Sequence, residues 1–146
     1  MCIRDSARVG APAIVVDFGT AVTFDVLGGH GNKGSYLGGV IAPGLSSMTD
    51  YLHSNTALLP EIDLKEPSSA IGKSTTEAMR SGAVYGYRGM VREVLQAIRS
   101  ELDEDSTILA TGGDAPLIAS GLPEVMDVVG DLTLQGIYLV GEQNLA

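Results

Sequence analysis

The sequence predicts an α/β fold in which helices pack on a mixed β-sheet, with the element order βββ-α-β-α-β-α. Three observations lead to this prediction. Short β-branched runs separated by glycine-rich turns come first along the chain, and a long segment with apolar residues at helical spacing follows them. The chain has 146 residues, 45% of them hydrophobic, which suits one domain with its own core. Early hairpins make antiparallel strands and later helical crossovers make parallel ones, so the sheet should be mixed.

The first three strands are predicted at residues 13–17, 21–27 and 35–41, where apolar and β-branched residues are concentrated. The glycine-rich residues 28–34 predict a hairpin tip between the second and third strands. Gly38 and Gly39 lie inside the third strand, where they indicate a bulge or a close approach of the backbone. Residues 1–12 show neither helical nor strand periodicity. We therefore expect them to be a disordered or non-native lead and the domain itself to span 13–146.

Two helices are predicted after the hairpins. Pro43-Gly44 ends the third strand, and residues then recur at helical spacing at Leu45, Met48, Leu52 and Thr56. The second helix is long, from Thr75 to Leu102, with Ser74 or Thr75 as its N-cap. Its predicted inward face comprises Met79, Ala83, Gly86, Met90, Val94 and Ile98. Each of the three glycines at 82, 86 and 89 weakens an isolated helix by about 1 kcal/mol relative to alanine, so we expect them to pack closely against a neighbour.

Four shorter elements complete the predicted order. They are a strand at 107–111, a short helix at 114–120, a strand at 125–129 and a terminal helix at 132–145. The strand at 107–111 and the short helix are separated only by Gly112-Gly113, which predicts a tight strand-to-helix turn.

Composition excludes several classes of protein. One cysteine, Cys2, and two histidines exclude an intrachain disulfide and a zinc site rich in cysteine or histidine. No run approaches the ~18 apolar residues of a membrane span, so no membrane partner is expected. The absence of disulfides, together with the lack of a signal-peptide apolar segment at residues 1–10, predicts a cytoplasmic protein. The formal net charge of −9 argues against nucleic acid as a partner.

The first candidate site is Asp17-Phe18-Gly19-Thr20, called here the DFGT turn, which separates the first two predicted strands. Glycine at such a turn lets a phosphate reach backbone N–H groups, and the Thr20 hydroxyl can donate to a phosphate oxygen. Asp17, at the end of a strand, can hold a cation that offsets the phosphate charge. The alternative is an ordinary β-turn with a polar residue on each side.

The second candidate site is Thr111-Gly112-Gly113, called here the TGG turn, which joins a strand end to a helix start. A helix N-terminus carries free N–H groups and positive partial charge, and two adjacent glycines let a flat ring lie against the backbone. The alternative is a tight turn with Asp114 as the helix N-cap. The two turns together indicate nucleotide binding more strongly than either does alone.

The segment before the long helix, Gly72-Lys73-Ser74-Thr75, is similar to the end of a phosphate-binding loop. Pro67 stands where that pattern needs glycine and no strand precedes it, so a helix N-cap is the better interpretation. A substrate contact by Thr75 is compatible with that cap. From Lys73 to Arg99 the chain carries five Lys or Arg and two Glu, which would suit an anionic ligand or a subunit contact. A solvated helix face is the alternative.

The predicted element order is that of the ribonuclease-H-like half-domain of the actin and sugar-kinase superfamily. From about residue 13 to residue 144 the chain also resembles the type III pantothenate kinases. Five segments carry this resemblance in order: Val16-Asp17-Phe18-Gly19-Thr20-Ala21, Tyr36-Leu37-Gly38-Gly39 with Ile41-Ala42-Pro43-Gly44-Leu45, Thr56-Ala57-Leu58-Leu59-Pro60, Ile71-Gly72-Lys73-Ser74-Thr75 and Thr111-Gly112-Gly113. The resemblance implies ATP-dependent phosphorylation of pantothenate to 4'-phosphopantothenate, the first step of coenzyme A biosynthesis.

The resemblance also implies roles for individual residues. Asp17 matches the family's ligand for a monovalent cation such as K⁺ or NH₄⁺, and Gly19 and Thr20 match its ATP phosphate contacts. Thr75 matches a pantothenate contact. Gly112 and Gly113 match the adenosine motif. Mg²⁺ is expected with the ATP, and the family's homodimer would form through the long helix at 75–102.

One part of the family pattern does not occur in this sequence. The family begins with another half-domain, which carries a D-x-G-N-T turn and a G-x-D-R segment whose aspartate is the general base. We therefore nominate no catalytic residue here, and expect the chain to be the C-terminal half of a kinase and inactive alone. Two alternatives stay open: a non-catalytic, nucleotide-binding accessory or regulatory factor, and half of a related sugar or acyl-group kinase.

Overall fold

A computed structural model describes residues 11–31, 33–102 and 105–132 of the chain. Its elements, in order, are β1 (Ala11–Phe18), β2 (Ala21–Gly31), β3 (Lys33–Pro43), α1 (Leu45–Asn55), α2 (Thr75–Glu101), β4 (Thr107–Thr111), α3 (Ala115–Ala119) and β5 (Asp127–Val128). The observed order is βββ-αα-β-α-β, with a helix at each of the two predicted helical segments between β3 and β4, where the predicted order βββ-α-β-α-β-α has one; the other described elements follow the predicted order. The predicted terminal helix, apart from Leu132, and the first ten residues of the predicted lead lie outside the described residues.

The five strands form one mixed sheet in the order β3-β2-β1-β4-β5. β1 pairs antiparallel with β2, which pairs antiparallel with β3, whereas β1, β4 and β5 are parallel. β1 is therefore the central strand, and its carboxyl end emerges beside that of β4. This position follows from its composition, because a strand buried on both faces needs a nearly continuous apolar run such as residues 13–16.

The two faces of the sheet differ in what they bury. One face packs against α2, and its core includes Ile14, Val16 and Phe18 of β1 with Phe24 of β2. Since side chains alternate along a strand, the opposite face carries Val15, which packs with Val129 and Leu132. The same alternation and the strand register put Asp17, Thr23 and Asp25 on this second face.

The hairpin between β2 and β3 is longer than predicted. Its strands continue to Gly31 and from Lys33, and His30 pairs with Lys33, so the predicted tip at 28–34 is wrong in extent. The glycine prediction in β3 is confirmed, because the register shifts beside Val26 and Gly38 has a φ of 131°. A Cβ at Gly39 would overlap the carbonyl oxygen of Phe24.

Most of the residues that recur at helical spacing in and after α1 are not buried. Its buried residues are Leu45 and Thr49, whereas Met48 and Leu52 are each 40% exposed, and Thr56 is the C-cap rather than a helical residue. The reason is that α1 meets the sheet through its first turn. The rest of its apolar stripe faces a groove between α1 and α2 and is left partly open.

The long helix α2 begins at Thr75, as predicted, and ends at Glu101. The Ser74 hydroxyl caps it by accepting from the Glu77 amide at 3.3 Å, and the Glu77 carboxylate accepts from the Lys73 amide at 2.7 Å. These reciprocal bonds satisfy amides that a helix start leaves unpaired. No helix among the described residues is long and apolar enough to cross a membrane.

The buried face of α2 is rotated by one residue, or about 100°, from the predicted one. Its centre is formed by Val84, Tyr87, Val91, Leu95 and Ile98, and of the six predicted residues only Ala83 and Ile98 are buried. Large side chains displace glycine from the core because they bury more apolar area. The predicted close packing of the three glycines at 82, 86 and 89 is therefore wrong among the described residues, where a Cβ on any of them would meet nothing within 4 Å.

Candidate functional site

The DFGT and TGG turns lie side by side at one edge of the sheet. Asp17, the second-last residue of β1, pairs with Thr111, the last residue of β4. Because the two strands are parallel, both turns emerge at their carboxyl ends, which is where open α/β sheets bind ligands. A hydrogen bond from the Asp114 amide to the Phe18 carbonyl oxygen, at 3.3 Å, joins the turns directly.

Gly112 is the point of closest approach between the two turns. Its φ is 97°, a conformation that side chains rarely adopt. A Cβ there would lie 2.6 Å from Asp17 Oδ1 and would overlap the Phe18 carbonyl oxygen. Gly113 differs, since a Cβ on it would meet nothing within 4 Å among the described residues. Gly112 therefore serves the packing of the turns, while Gly113 leaves open space above them.

The DFGT turn is held by the start of α1. The carbonyl oxygen of Thr20 accepts from the Gly44 amide and from Ser47 Oγ, both at 3.0 Å. A Cβ at Gly44 would overlap the carbonyl oxygens of both Gly19 and Thr20, so only glycine fits there. The amide of Gly19 already donates to Ala21 at 3.1 Å, so it is not a phosphate donor in this conformation. Thr20, by contrast, is exposed.

Two carboxyl groups, those of Asp17 and Asp114, lie partly buried at the turns. Burial, with the nearby Asp25 carboxylate, raises the pKa of Asp17 above its usual value. Burial also raises the pKa of Asp114. Neither carboxylate has an ion-pair partner within the described parts of the chain. A cation beside Asp17 would favour its ionised form.

Tyr87 supports the DFGT turn from beneath. Its ring centroid lies 6.4 Å from that of Phe18, and its hydroxyl donates to the Pro43 carbonyl oxygen at 3.2 Å. Burial, followed by the charge of Asp114, raises the pKa of Tyr87 to about 12, so the hydroxyl stays a donor at neutral pH. Tyr87 is not among the residues predicted to face inward or to form a site. Its four-residue spacing from Ala83 and Val91 was the available signal.

The basic side chains of α2 bind the chain's own carbonyl oxygens. Arg80 donates to Asp63, Arg92 to Gly121 and Arg99 to Ser106, at 3.0 to 3.3 Å, while Arg88 reaches residues 117 and 118. Arg92 and Arg99 are exposed, as the alternative of a solvated helix face predicts, yet each also bonds the chain's own backbone. Four of the five Lys and Arg side chains from Lys73 to Arg99 thus connect loops or α3 to α2 through hydrogen bonds.

Thr75 is not part of the two turns; it lines a groove of about 740 Å³ between α1 and α2. Apolar side chains dominate the lining, which includes Pro43, Met48, Tyr51, Leu52, Leu59 and Met79. Ser47 belongs both to this lining and to the contact with Thr20, so the groove begins beside the DFGT turn. Thr75 was predicted as a site residue, whereas Ser47 was not predicted and Gly44 was recognised only as part of a strand break and of a family-like segment.

No group of three or more His, Cys, Asp or Glu side chains that could hold a metal ion occurs among the described residues. The structure thus brings Asp17, Gly19, Thr20, Gly112 and Gly113 to one place. It connects Thr75 to them through the groove. Such an arrangement can bind a nucleotide beside a second, partly apolar ligand, with Asp17 as the one candidate cation ligand at the turns.

Comparison with known proteins identifies the family. The sequence model described as type III pantothenate kinase matches residues 2–97. A type III pantothenate kinase from Akkermansia muciniphila is 56% identical over 140 residues, covering 96% of this chain and 57% of the relative. One from Methylacidiphilum infernorum is 52% identical, covering 94% of this chain and 50% of the relative. The chain thus spans about half the length of the curated relatives it matches.

A solved structure agrees with the fold. It is the crystal structure of a conserved putative Baf family transcriptional activator from Campylobacter jejuni, with a TM-score of 0.57 and 18% sequence identity. The match covers 91% of this chain and 58% of that chain. At that identity the likeness concerns the fold alone. The family match over residues 2–97 and the high identity of the curated relatives show that the chain belongs to the type III pantothenate kinase family.

Proposed function

We propose that this chain forms the ATP- and pantothenate-binding half of an enzyme that transfers the γ-phosphoryl group of ATP to the hydroxyl of pantothenate. The observation that carries the proposal is the pairing of Asp17 with Thr111, which brings the DFGT and TGG turns together. The strand order β3-β2-β1-β4-β5, antiparallel then parallel, also supports a ribonuclease-H-like half-domain of the actin and sugar-kinase type.

In this proposal the nucleotide lies across the two turns. The Thr20 hydroxyl donates to a phosphate oxygen, since it is exposed and the Gly19 amide is engaged within the turn. Gly19 contributes by keeping a side chain away from the phosphates. The adenosine lies over the TGG turn, where Gly112 lets the two turns pack closely and the absence of a side chain at Gly113 leaves the backbone accessible.

Asp17 is the residue that fits a monovalent cation such as K⁺ or NH₄⁺. It is half-buried, it lies on the same sheet face as Asp25, and no described residue forms an ion pair with it. A bound cation would compensate both carboxylates and the phosphate charge. Mg²⁺ would arrive with the ATP, because Mg²⁺ is commonly held by phosphates with only one or two carboxylates.

The groove between α1 and α2 fits the acceptor substrate. Pantothenate has a branched aliphatic part and polar groups, which match the apolar lining and the Thr75 residue within it. Ser47 lines the groove and bonds the backbone of Thr20, so the groove lies next to the position proposed for the γ-phosphate. In the transfer, the hydroxyl oxygen of pantothenate bonds to the γ-phosphorus while the bond to ADP breaks.

The exposed face of α2 is the proposed homodimer surface. Gly82, Gly86 and Gly89 share this face with Tyr85, which is 44% exposed. A second α2 could approach closely over glycine residues, which would give them the packing role that they lack within this chain.

The hydroxyl proton of pantothenate needs an acceptor, and this sequence has no G-x-D-R segment to supply one. We therefore expect the chain alone to bind ATP and pantothenate without phosphorylating pantothenate. Phosphorylation by purified 1–146 at a rate comparable to that of a complete relative would contradict this division of roles.

Calorimetry with Mg-ATP and with pantothenate tests the proposal on the full chain. Thr20→Val should weaken ATP binding about tenfold or more, because it removes a hydrogen bond to a charged group. Thr75→Val should weaken pantothenate binding and leave ATP binding unchanged, with Thr76→Val as the matched control for both. Binding of ATP without pantothenate would favour the accessory-factor alternative, and binding of neither would contradict both.

A further inference from the structure

Arg88 is the one charged residue that is buried among the described residues, at 6% exposed. Its guanidinium donates to both carboxylate oxygens of Glu66, at 2.9 and 2.6 Å. It also donates to the carbonyl oxygens of Leu117 at 2.6 Å and Ile118 at 3.2 Å, and to Ser120 Oγ at 3.0 Å. All three nitrogens are therefore used, which is what a buried guanidinium requires.

The carbonyl oxygens that Arg88 binds belong to the last turn of α3. A helix leaves these oxygens without partners inside the helix, and a cation there is favourable. α3 has five residues, too few to be stable as a helix on its own, so its position depends on contacts with the rest of the chain. Arg88 supplies such contacts at one end of α3, and the Asp114 amide, bonded to Phe18, supplies one at the other.

The surroundings of Arg88 accommodate its planar fork. A Cβ at Gly121 would overlap Arg88 Nε, so the chain that leaves α3 lacks a side chain where the guanidinium passes. Hydrogen bonding by Arg88 holds the pKa of Glu66 below its usual value, which keeps the carboxylate ionised. The Glu66 side chain is 55% exposed, so its ion pair with Arg88 adds little to stability by charge alone, whereas the arginine adds fixed bidentate geometry.

We propose that Arg88 is a positioning residue, which sets the place of α3 and so holds the TGG turn against the DFGT turn. This inference rests on the proposed function, in which both turns bind the nucleotide. Arg88 itself contacts neither turn. It acts through α3, whose amino end follows Gly113 directly.

The test compares Arg88→Lys with the wild type in the full chain. Lysine keeps the positive charge but lacks the planar guanidinium that donates to several acceptors at once. Amide hydrogen exchange is followed at Asp114 and Ala115, whose amides bond to Phe18 and Gly112, and at Val16 in the central strand as a reference. We expect exchange at Asp114 and Ala115 to become at least tenfold faster relative to Val16. ATP binding should weaken about tenfold. Arg92→Lys, on the same helix but half-exposed, is the matched control and should leave both readouts near wild type.

Equal acceleration at Asp114 and Val16 would overturn the proposal, since Arg88 would then contribute only overall stability. If Arg88→Lys does not fold, Glu66→Gln is the second test variant. It removes the carboxylate that accepts from the guanidinium and leaves Arg88 itself in place. It should give the same selective acceleration, smaller in size, and unchanged exchange at Asp114 would overturn the proposal. Failure of the wild type to bind ATP would contradict the proposed function, while exchange at Asp114 would still decide the role of Arg88.

Discussion

The carboxylate of Asp17 lies against the backbone of Gly112, so close that a Cβ on Gly112 would fall 2.6 Å from Asp17 Oδ1. The two residues end up in contact because β1 and β4 are parallel neighbours and each ends in a turn. A side chain at Gly112 would push the candidate cation ligand and the candidate adenosine turn apart. The proposed nucleotide site therefore depends on glycine at position 112, which allows the two turns to meet.

Gly112→Ala should destabilise the chain by about 1–3 kcal/mol, because a φ of 97° strains alanine and the new methyl group meets Asp17 and Phe18. Urea denaturation measures the loss. Gly113→Ala is the control for stability, since its Cβ would meet open space. The variant at 112 should also lose ATP affinity. Equal stability of the two variants would contradict the close contact between the turns.

Asp17→Asn should change how stability depends on pH. The pKa of Asp17 is raised in the folded state by burial and by Asp25, so the unfolded chain ionises first. Stability is therefore lost as the pH rises from the ordinary aspartate pKa of about 3.9 through the raised folded pKa. Asp17→Asn has no carboxyl group to ionise at this position. Its free energy of unfolding should therefore rise relative to that of the wild type as the pH increases across this range.

The measurement is the free energy of unfolding of both proteins at a series of pH values. Asp63→Asn, at an exposed site, is the control and should follow the wild type. Added K⁺ should stabilise the wild type more than Asp17→Asn at neutral pH. A pH slope that is the same in the wild type and in Asp17→Asn would rule out the buried carboxylate as its cause.

Tyr87→Phe should cost about 1 kcal/mol of stability, because it removes the hydrogen bond to Pro43 and keeps the ring contact with Phe18. Tyr85→Phe, two positions away and 44% exposed, is the matched control and should cost little. Burial raises the pKa of Tyr87 to about 12, so absorbance titration of the wild type should show a phenol that ionises above the ordinary tyrosine pKa of about 10 and that Tyr87→Phe lacks. Identical titration curves in that range for the wild type and Tyr87→Phe would contradict the burial of Tyr87.

Local signals in the sequence predicted the element order and several boundaries. Thr107–Thr111 is the predicted strand residue for residue, since glycine follows it at once. The start of α2 at Thr75 followed from the Ser74 cap, which needs only neighbouring residues. The ends of β1, beside Asp17, and of β4, at Thr111, were likewise recognisable from Gly19 and Gly112, which follow them. The candidate site could therefore be predicted as a set of turn residues.

The errors have a different cause, which is packing between distant segments. Helical spacing alone put Gly86 inward, but Tyr87 takes that place because the Pro43 carbonyl, far away in sequence, accepts its hydroxyl. Met48 repeats at core spacing yet faces a groove, because α1 meets the sheet only through its first turn. The part played by Arg88 depends on carbonyl oxygens about 30 residues away, which no local pattern reveals.

The glycine face of α2 offers a test of the proposed homodimer. Gly82, Gly86 and Gly89 each face open space, so replacing one with alanine should stabilise the isolated chain by up to about 1 kcal/mol through helix propensity. If a second α2 packs over this face, the same methyl group should weaken association. Urea denaturation at low protein concentration measures the first effect and sedimentation equilibrium the second. Gln96→Ala, at an exposed position further along the helix, is the control for propensity alone. Stabilisation by Gly86→Ala with unchanged association would show that the dimer, if formed, uses another surface.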